Sequence, residues 1–334
     1  MTRQTRYFMA GATAVLVGGL MTGLVAYYTG GFQPVSASAV AQELRYVPAD
    51  ATLVAYADVR AIMDSDLRNR LKQALPTPPQ GQQEFQQQTG IDIERDIDYV
   101  VAALSPGAAP GKPVSGGLVV ARGRFDSGLL ETLAREHGGQ AGEYKGKRLV
   151  VGPQEGTTEE SYGGVVHASG RPVLAFLEPG LLAIGELAAV QRAIDAQLSA
   201  HSITGNDEMM QLVGDIGRYN NAWAVGRFDV IASQANLPEQ VTSRLPPVKW
   251  FAAAGHINGG VSGMLRAEAR DDRSAEDLRA VVNGFLALAR LQASADPRSE
   301  AVVNSLQLTG TGKTVALQFA VPAEVLQLLP EMAR

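Results

Sequence analysis

A tetrapeptide that occurs twice places the strongest constraint on how this chain folds. Gly123-Arg124-Phe125-Asp126 returns as Gly226-Arg227-Phe228-Asp229, each time after an apolar run and before a stretch with helical periodicity. Around these two copies, the order of strand, helix, hairpin, helix, strands and helix occurs twice. We therefore predict an α+β fold of two pseudo-repeated lobes, each an antiparallel sheet with helices packed on one face.

The predicted lobes are residues 46–205 and residues 206–334. In both of them, consecutive hairpin-like strands outnumber strand-helix-strand crossovers, which favours antiparallel pairing. The alternative arrangement is one continuous sheet that both halves share.

The amino-terminal region predicts a membrane anchor, residues 1–29, followed by a flexible tether, residues 30–45. Residues 8–28 are apolar and uncharged, and a helix of that length crosses a hydrocarbon core of about 30 Å. Arg3 and Arg6 precede the segment and should stay cytoplasmic, which sends the remainder of the chain to the periplasmic or extracellular side of the inner membrane. Cleavage after Ala39 is the alternative, because small residues precede that position as at a signal-peptide site.

Composition excludes several partners and chemistries. The net charge is -5 and no run of Lys or Arg concentrates positive charge, so the chain offers no footprint for nucleic acid. The chain has no cysteine, which excludes disulfides, thiolate metal sites and attachment through a lipoprotein cysteine.

Aspartates at the junctions between strands and helices are predicted helix caps. They are Asp58, Asp126, Asp229 and Asp272. A carboxylate at this position accepts hydrogen bonds from the first amides of the helix, and we favour this role over ligand binding. Arg124 and Arg227 alternate with buried strand residues and should face outward, where they are a candidate surface for a partner protein.

Residues 310–314 resemble the end of a nucleotide-binding loop, but the sequence predicts a hairpin turn. The motif requires a glycine five residues before Gly312, where this chain has Gln307. It must also begin a helix, whereas a strand-like run follows Thr314. We therefore predict no nucleotide partner.

Four acidic residues alternate in a pattern that invites a calcium site: Asp92, Glu94, Asp96 and Asp98. The positions where a calcium-binding loop needs Gly and Glu hold Ile97 and Ala103. We interpret the stretch as the start of an amphipathic strand with a solvated acidic face.

No catalytic, cofactor or metal site is predicted. The four histidines are scattered without metal-ligand spacing, and no nucleophile motif occurs. The helix at residues 278–291 has a broad apolar face, which favours burial in the core over the lining of a ligand cavity.

A family resemblance rests on short motifs near the beginning of the globular part. Val47-Pro48-Ala49-Asp50-Ala51, the strand before Asp58, and Thr89-Gly90-Ile91-Asp92 with Asp96-Ile97 resemble bacterial N-terminally anchored envelope proteins built from domains of unknown function. The resemblance covers about residues 46–140. It implies an envelope location and an α+β fold, and it brings no activity, catalytic residue or cofactor.

Three hypotheses for function follow. The leading one is a non-enzymatic, membrane-tethered envelope protein that presents a surface to another envelope component. The alternative is a carrier or sensor of an apolar ligand held between sheet and helices, and the third is a hydrolase of envelope polymers.

Overall fold

The structure of the protein is a computed structural model. It describes residues 42–74, 86, 90–106, 115–136, 138–152, 172–217, 220–228, 246–293 and 297–322. Among these residues, no helix is both long enough and apolar enough to cross a membrane. The predicted membrane segment, residues 8–28, lies outside the described ranges and stays a prediction.

The described strands form one antiparallel sheet of twelve strands. They are β1 (Leu53–Ala57), β2 (Ile97–Ser105), β3 (Ser115–Gly123), β4 (Gln140–Tyr144), β5 (Lys147–Val151), β6 (Pro172–Glu178), β7 (Leu181–Glu186), β8 (Ala222–Arg227), β9 (Val248–Ile257), β10 (Gly260–Ala269), β11 (Gln307–Thr309) and β12 (Thr314–Pro322). Their order across the sheet is β11-β12-β10-β9-β8-β1-β2-β3-β7-β6-β5-β4.

Helices connect these strands and pack against the sheet, so the chain is α+β. They are α1 (Val59–Met63), α2 (Asp66–Ala74), α3 (Ile93–Asp96), α4 (Ser127–Glu136), α5 (Leu187–Ser199), α6 (Asp207–Gly217), α7 (Asp272–Ala293) and α8 (Pro297–Ser305). Single 3-10 turns occur at Leu44–Tyr46 and Ile203–Gly205.

The two halves of the chain meet at the middle of the sheet, where β1 pairs along its whole length with β8. The ring of Tyr56 stacks on that of Trp223 with centroids 5.6 Å apart. Residues 222–226 are all buried, so β8 is unsuited to a solvent-exposed edge. The prediction of two separate sheets, in residues 46–205 and 206–334, is therefore wrong, because the apolar strands that would end those sheets pair with each other.

Helices cover both faces of the sheet. Along β2, Tyr99 and Val101 pack in a cluster with α5 and α6, whereas Val100 lies in a cluster with α1 and α4. The prediction of helices on one face is wrong, because successive apolar residues along a strand leave both of its faces to be covered.

The two helices over the centre of the sheet follow from their sequences. In α5, Val190, Ala193 and Ile194 are fully buried and have the spacing of one helical face. At the start of α6, the side-chain oxygen of Asn206 accepts a hydrogen bond from the amide of Met209 at 3.0 Å. This bond satisfies an amide that the helix itself leaves unpaired.

The glycine-rich residues 310–314 lie in the turn between β11 and β12. Gly310 and Gly312 have φ of 97° and 55°, a region that glycine adopts without strain. β12 begins at Thr314 and pairs with β11, so the predicted hairpin turn is confirmed.

Candidate functional site

The two copies of the repeated tetrapeptide lie at opposite ends of the strands. The first copy begins at the last residue of β3 and the second begins at the last two residues of β8, and these strands are three positions apart in the sheet. Since each neighbouring pair between them is antiparallel, β3 and β8 run in opposite directions. Arg124 and Arg227 therefore do not form one surface.

Arg124 lies beside a carboxylate that another arginine already contacts. Arg60 donates a hydrogen bond from Nε to Oδ1 of Asp98 at 2.7 Å, and Nη1 of Arg124 lies 4.0 Å from the same oxygen. The Arg124 side chain is 60% exposed, and Arg227 is exposed as well.

Gly123 and Asp126 have structural roles in the first copy of the tetrapeptide. A Cβ atom on Gly123 would lie 2.0 Å from the backbone oxygen of Asp96, so only glycine fits this close approach. The carboxylate of Asp126 accepts hydrogen bonds from the amides of Gly128 at 2.9 Å and Leu129 at 3.0 Å. This is the hydrogen bonding of a helix cap.

The other predicted caps differ from this pattern. Asp58 is at the N-cap position of α1, but its side chain makes no capping hydrogen bond and is buried. At α7 the carboxylate of Asp271 accepts from the amide of Ser274 at 2.7 Å, and Asp272 is the first helical residue. Asp229 lies outside the described residues.

The acidic row that begins at Asp92 is occupied by local hydrogen bonds and ion pairs. Asp92 accepts from the amide of Glu94 at 2.9 Å and donates its own amide to Asp96 at 2.8 Å, while Glu94 pairs with Arg68. Residues 93–96 form α3, so the prediction of an extended strand start is wrong there. No group of three or more His, Cys, Asp or Glu residues within the described ranges could hold a metal ion.

A buried polar cluster lies where the first described residues meet the sheet. Glu43 is 1% exposed, and its Oε1 accepts hydrogen bonds from Nε of Arg122 at 3.0 Å and from Nη2 at 2.5 Å. Tyr46 donates its hydroxyl to Oε1 of Glu178 at 2.8 Å, and Tyr99 pairs in register with Arg122. We call these five residues the Glu43 cluster.

Burial and charge shift the pKa values in the Glu43 cluster. Burial raises the pKa of Tyr99 to about 12, and the charge of Glu43 adds to the effect. Burial also raises the pKa of Tyr46, helped by its hydrogen bond to Glu178. Although burial opposes a charged guanidinium, the hydrogen bonds and charge of Glu43 outweigh it and raise the pKa of Arg122. The arginine therefore stays charged and the tyrosines stay neutral near pH 7.

The Glu43 carboxylate depends on Arg122. Its other oxygen, Oε2, is buried and has no hydrogen-bond partner among the described residues. Removing one partner of a buried ion pair typically costs about 3–5 kcal/mol, because the remaining charge is left uncompensated. The Glu43 cluster therefore fixes the beginning of the described chain to β2, β3 and the end of β6.

An open groove of about 310 Å³ lies beside α5, next to the segment that carries Glu43. Its lining consists of Pro48, Ala49, Asp50, Arg192, Asp195, Ala196, Ser199 and His201. Arg192 and Asp50 form an ion pair there, with side chains 38% and 54% exposed. We call this feature the α5 groove.

Asp195 connects the α5 groove to the turn between β4 and β5. Its carboxylate accepts a hydrogen bond from Nζ of Lys145 at 2.6 Å and from the hydroxyl of Tyr144 at 3.1 Å. The bond from Lys145 holds the pKa of Asp195 below its ordinary value of 3.8, and the bond from Tyr144 acts in the same direction. Asp195 is therefore ionised and engaged near pH 7.

Three residues of the α5 groove have the side chains of a nucleophilic triad but do not form one: Ser199, His201 and Asp195. The hydroxyl of Ser199 donates to the backbone oxygen of Asp195 at 2.7 Å. Within the described part of the chain, no hydrogen bond joins His201 to Ser199, and an activated nucleophile requires such a bond to its base. Charges of both signs in an open groove instead suit the polar rim of a protein interface.

The apolar face of α7 is divided between core and surface. Leu278 and Leu286 are buried, and Leu278 packs with strand residues such as Ala269 and Val315. Leu288 is 42% exposed on the same helix. Core packing, the role favoured from the sequence, accounts for the buried half.

Sequence reasoning missed both the Glu43 cluster and the α5 groove. Glu43 fell inside the predicted tether of residues 30–45, where nothing local marks it as buried. The groove left a weak signal, because Arg192, Asp195 and Ser199 recur at the spacing of one helical face. Such a polar stripe is also typical of an ordinary solvated helix surface.

Comparisons with known proteins identify no family. No family model matches the chain, and no curated protein matches it. A structure of TP0453, in its crystal form I, is similar with a TM-score of 0.45 and 9% sequence identity. That match covers 87% of this chain and 97% of the TP0453 chain.

Proposed function

We propose that the chain is a non-enzymatic interaction module of the bacterial cell envelope, and that the α5 groove receives its protein partner. The apolar residues 8–28 anchor it in the inner membrane, and the described body lies on the periplasmic or extracellular side. This location rests on the sequence pattern of the amino-terminal region.

The observation that carries the proposal is the mixed charge of the α5 groove on elements that buried residues anchor to the sheet. Pro48 and Asp50 follow directly on the Glu43 cluster, and Arg192 and Asp195 come from α5, whose inner face is fully buried. Groups held in fixed positions lose little entropy when a partner binds. Exposed charges on such a support favour recognition of a polar protein surface over retention of an apolar ligand, which requires an apolar cavity.

Site-specific cross-linking in intact cells tests the proposal. A photoreactive amino acid at His201, in the groove, should yield a defined product with another envelope protein, whereas the same probe at Glu276, exposed on α7, should not. Arg192→Glu should weaken the His201 product, because it removes the cation of the groove.

Arg270→Glu serves as the matched control, since Arg270 is exposed in the other half of the chain. An equal effect of both charge reversals, or equal products from both probe positions, would show that the groove is not the binding surface.

A further inference from the structure

The two edges of the twelve-stranded sheet are protected to different extents. At one edge, β11 has only three residues, and beyond it Ser305 accepts a hydrogen bond from the amide of Ala320 on β12. At the other edge, β4 has five residues, of which the first four are exposed. In the described part of the chain, β4 pairs with β5 and with no further strand.

The strand β4 is held in a fixed extended conformation. Lys145 and Gly146 form a two-residue turn with φ of 48° and 79°, which is the geometry that a tight hairpin requires. At this end Asp195 binds both Tyr144 and Lys145. At the other end the amide of Gly139 donates to the backbone oxygen of Ala134 on α4 at 2.8 Å.

The ladder between β4 and β5 determines which backbone groups face outward. In a two-residue hairpin the flanking pair, here Tyr144 with Lys147, is hydrogen-bonded, and bonded pairs then alternate along the strand. Gly142 is accordingly directed towards β5. The amides and carbonyls of Ala141 and Glu143 point away from β5, towards the open edge.

We propose that two copies of the chain pair antiparallel through β4, centred on Gly142, so that their sheets become continuous. In this register Ala141 of each copy is opposite Glu143 of the other, and these two pairs exchange four main-chain hydrogen bonds. The acidic Glu143 side chains are not directly opposed, which avoids a destabilising like-charge pair. Edge strands that lack Pro, Lys or a bulge pair readily with another strand.

The symmetry of this pairing agrees with a membrane-attached protein. The two-fold axis runs perpendicular to the sheet through Gly142, so both copies present the same face in the same direction. The Glu43 cluster, which lies at the first described residues, is then on the same side of the sheet in both copies. The pairing does not depend on the α5 groove or on its proposed partner.

The absence of cysteine from the chain makes a disulfide test direct. Opposed residues of a non-hydrogen-bonded antiparallel pair have Cα atoms about 4.5 Å apart, within the range that a disulfide spans. A Cβ at Gly142 would meet no atom within 4 Å in its own copy. In membranes that contain the full-length chain, oxidation of Gly142→Cys should therefore produce a disulfide-linked dimer.

Two matched cysteines control for random collision. Gly205→Cys is equally open, and Ala141→Cys is one residue out of register on the opposite face of the sheet. Both should form at least tenfold less dimer than Gly142→Cys. Equal cross-linking at either position would overturn the proposal.

A proline separates backbone pairing from mere proximity. Glu143→Pro removes an outward amide that β5 does not use, so the hairpin within each copy is retained. Added to Gly142→Cys, it should abolish the cross-link while the melting temperature of the monomer stays near that of Gly142→Cys alone. A cross-link that survives this change, or no cross-link in Gly142→Cys itself, would contradict strand pairing.

Discussion

The Glu43 cluster and the α5 groove are neighbours along the chain. Each contains an ion pair between an arginine and a carboxylate, but the two pairs have different roles. Glu43 is 1% exposed, and its bond to Arg122 connects the first described segment of the chain to β3. The pair of Arg192 with Asp50 is 38% and 54% exposed. A buried pair cannot lose one member without a large cost, whereas an exposed pair contributes little.

Within a few residues, the chain therefore carries one ion pair that stabilises the fold and another that is available for recognition of a partner. Glu43, Leu44 and Tyr46 are buried before Val47, whereas Asp50 after it is exposed to solvent. Charges that contribute little to folding are available to exchange partners with another protein. The following predictions test that separation, beginning with the largest effect.

Arg122→Met should be the most damaging change, because it leaves the carboxylate of Glu43 buried without its cation. We expect the free energy of unfolding to fall by about 3–5 kcal/mol, measured by urea denaturation. The double variant Glu43→Met with Arg122→Met should recover much of that loss, since neither charge remains. Arg192→Met is the exposed control. If it destabilises the protein as much as Arg122→Met, the contrast between the two regions is wrong.

Alkaline pH should have the next largest effect, by destabilising the Glu43 cluster. Tyr99 has its pKa raised from 10.0 to about 12 in the folded protein. The contribution of neutral Tyr99 to the free energy of unfolding is therefore complete below pH 10 and is lost as the pH rises through about 12. A shift of this size corresponds to roughly 2–3 kcal/mol. Tyrosine absorbance at 295 nm and circular dichroism should change together in this window.

Tyr99→Phe supplies the control for the alkaline transition. The variant lacks the ionisable hydroxyl, so its stability should depend less steeply on pH between 10 and 12. An unchanged pH dependence would mean that other groups account for the transition.

Acid pH should loosen the hairpin beside the α5 groove, with a smaller effect. The pKa of Asp195 is lowered below 3.8 in the folded protein, so its contribution is present above about pH 4 and is lost as the pH falls through the folded value. Asp195→Asn should speed hydrogen exchange at the Tyr144 amide a few-fold at pH 7. Wild type and variant should converge in acid, and a difference that persists there would exclude the carboxylate as the cause.

Salt should produce the smallest effect and distinguish the two regions once more. Exposed pairs are screened by ions, whereas buried pairs are screened much less. The stability difference between wild type and Arg192→Met should vanish in 1 M salt, while that of Arg122→Met should persist. Loss of both differences would indicate that the Glu43 cluster is more open to solvent than its burial implies.

The sequence was informative about local elements and weak on how they assemble. The strand predicted before Asp58 is present as β1, and the hairpin turn predicted at residues 310–314 joins β11 to β12. The pairing of β1 with β8 was not predicted as the leading arrangement, because no short-range pattern encodes contact between such distant strands. Apolar residues at both Val100 and Val101 were a usable sign of burial on both faces.

The candidate site was less accessible to sequence reasoning, for a physical reason. Whether an acidic residue is buried depends on a cation supplied from elsewhere, and Glu43 and Arg122 belong to elements far apart in the sequence. The cap at Asp126 was easier to predict, because its hydrogen bonds lie within one turn, whereas Asp58 is at an N-cap position without a capping hydrogen bond.

The pairing of β1 with β8 also means that β1 is synthesised long before the strand with which it pairs. When β1 has been synthesised, the ribosome must still add residues 58–221 before β8 begins, which takes roughly ten to thirty seconds at about 5–20 residues per second. During that interval one side of an apolar central strand has no native neighbour. A chaperone that occupies the nascent first half would therefore raise the yield of folded protein.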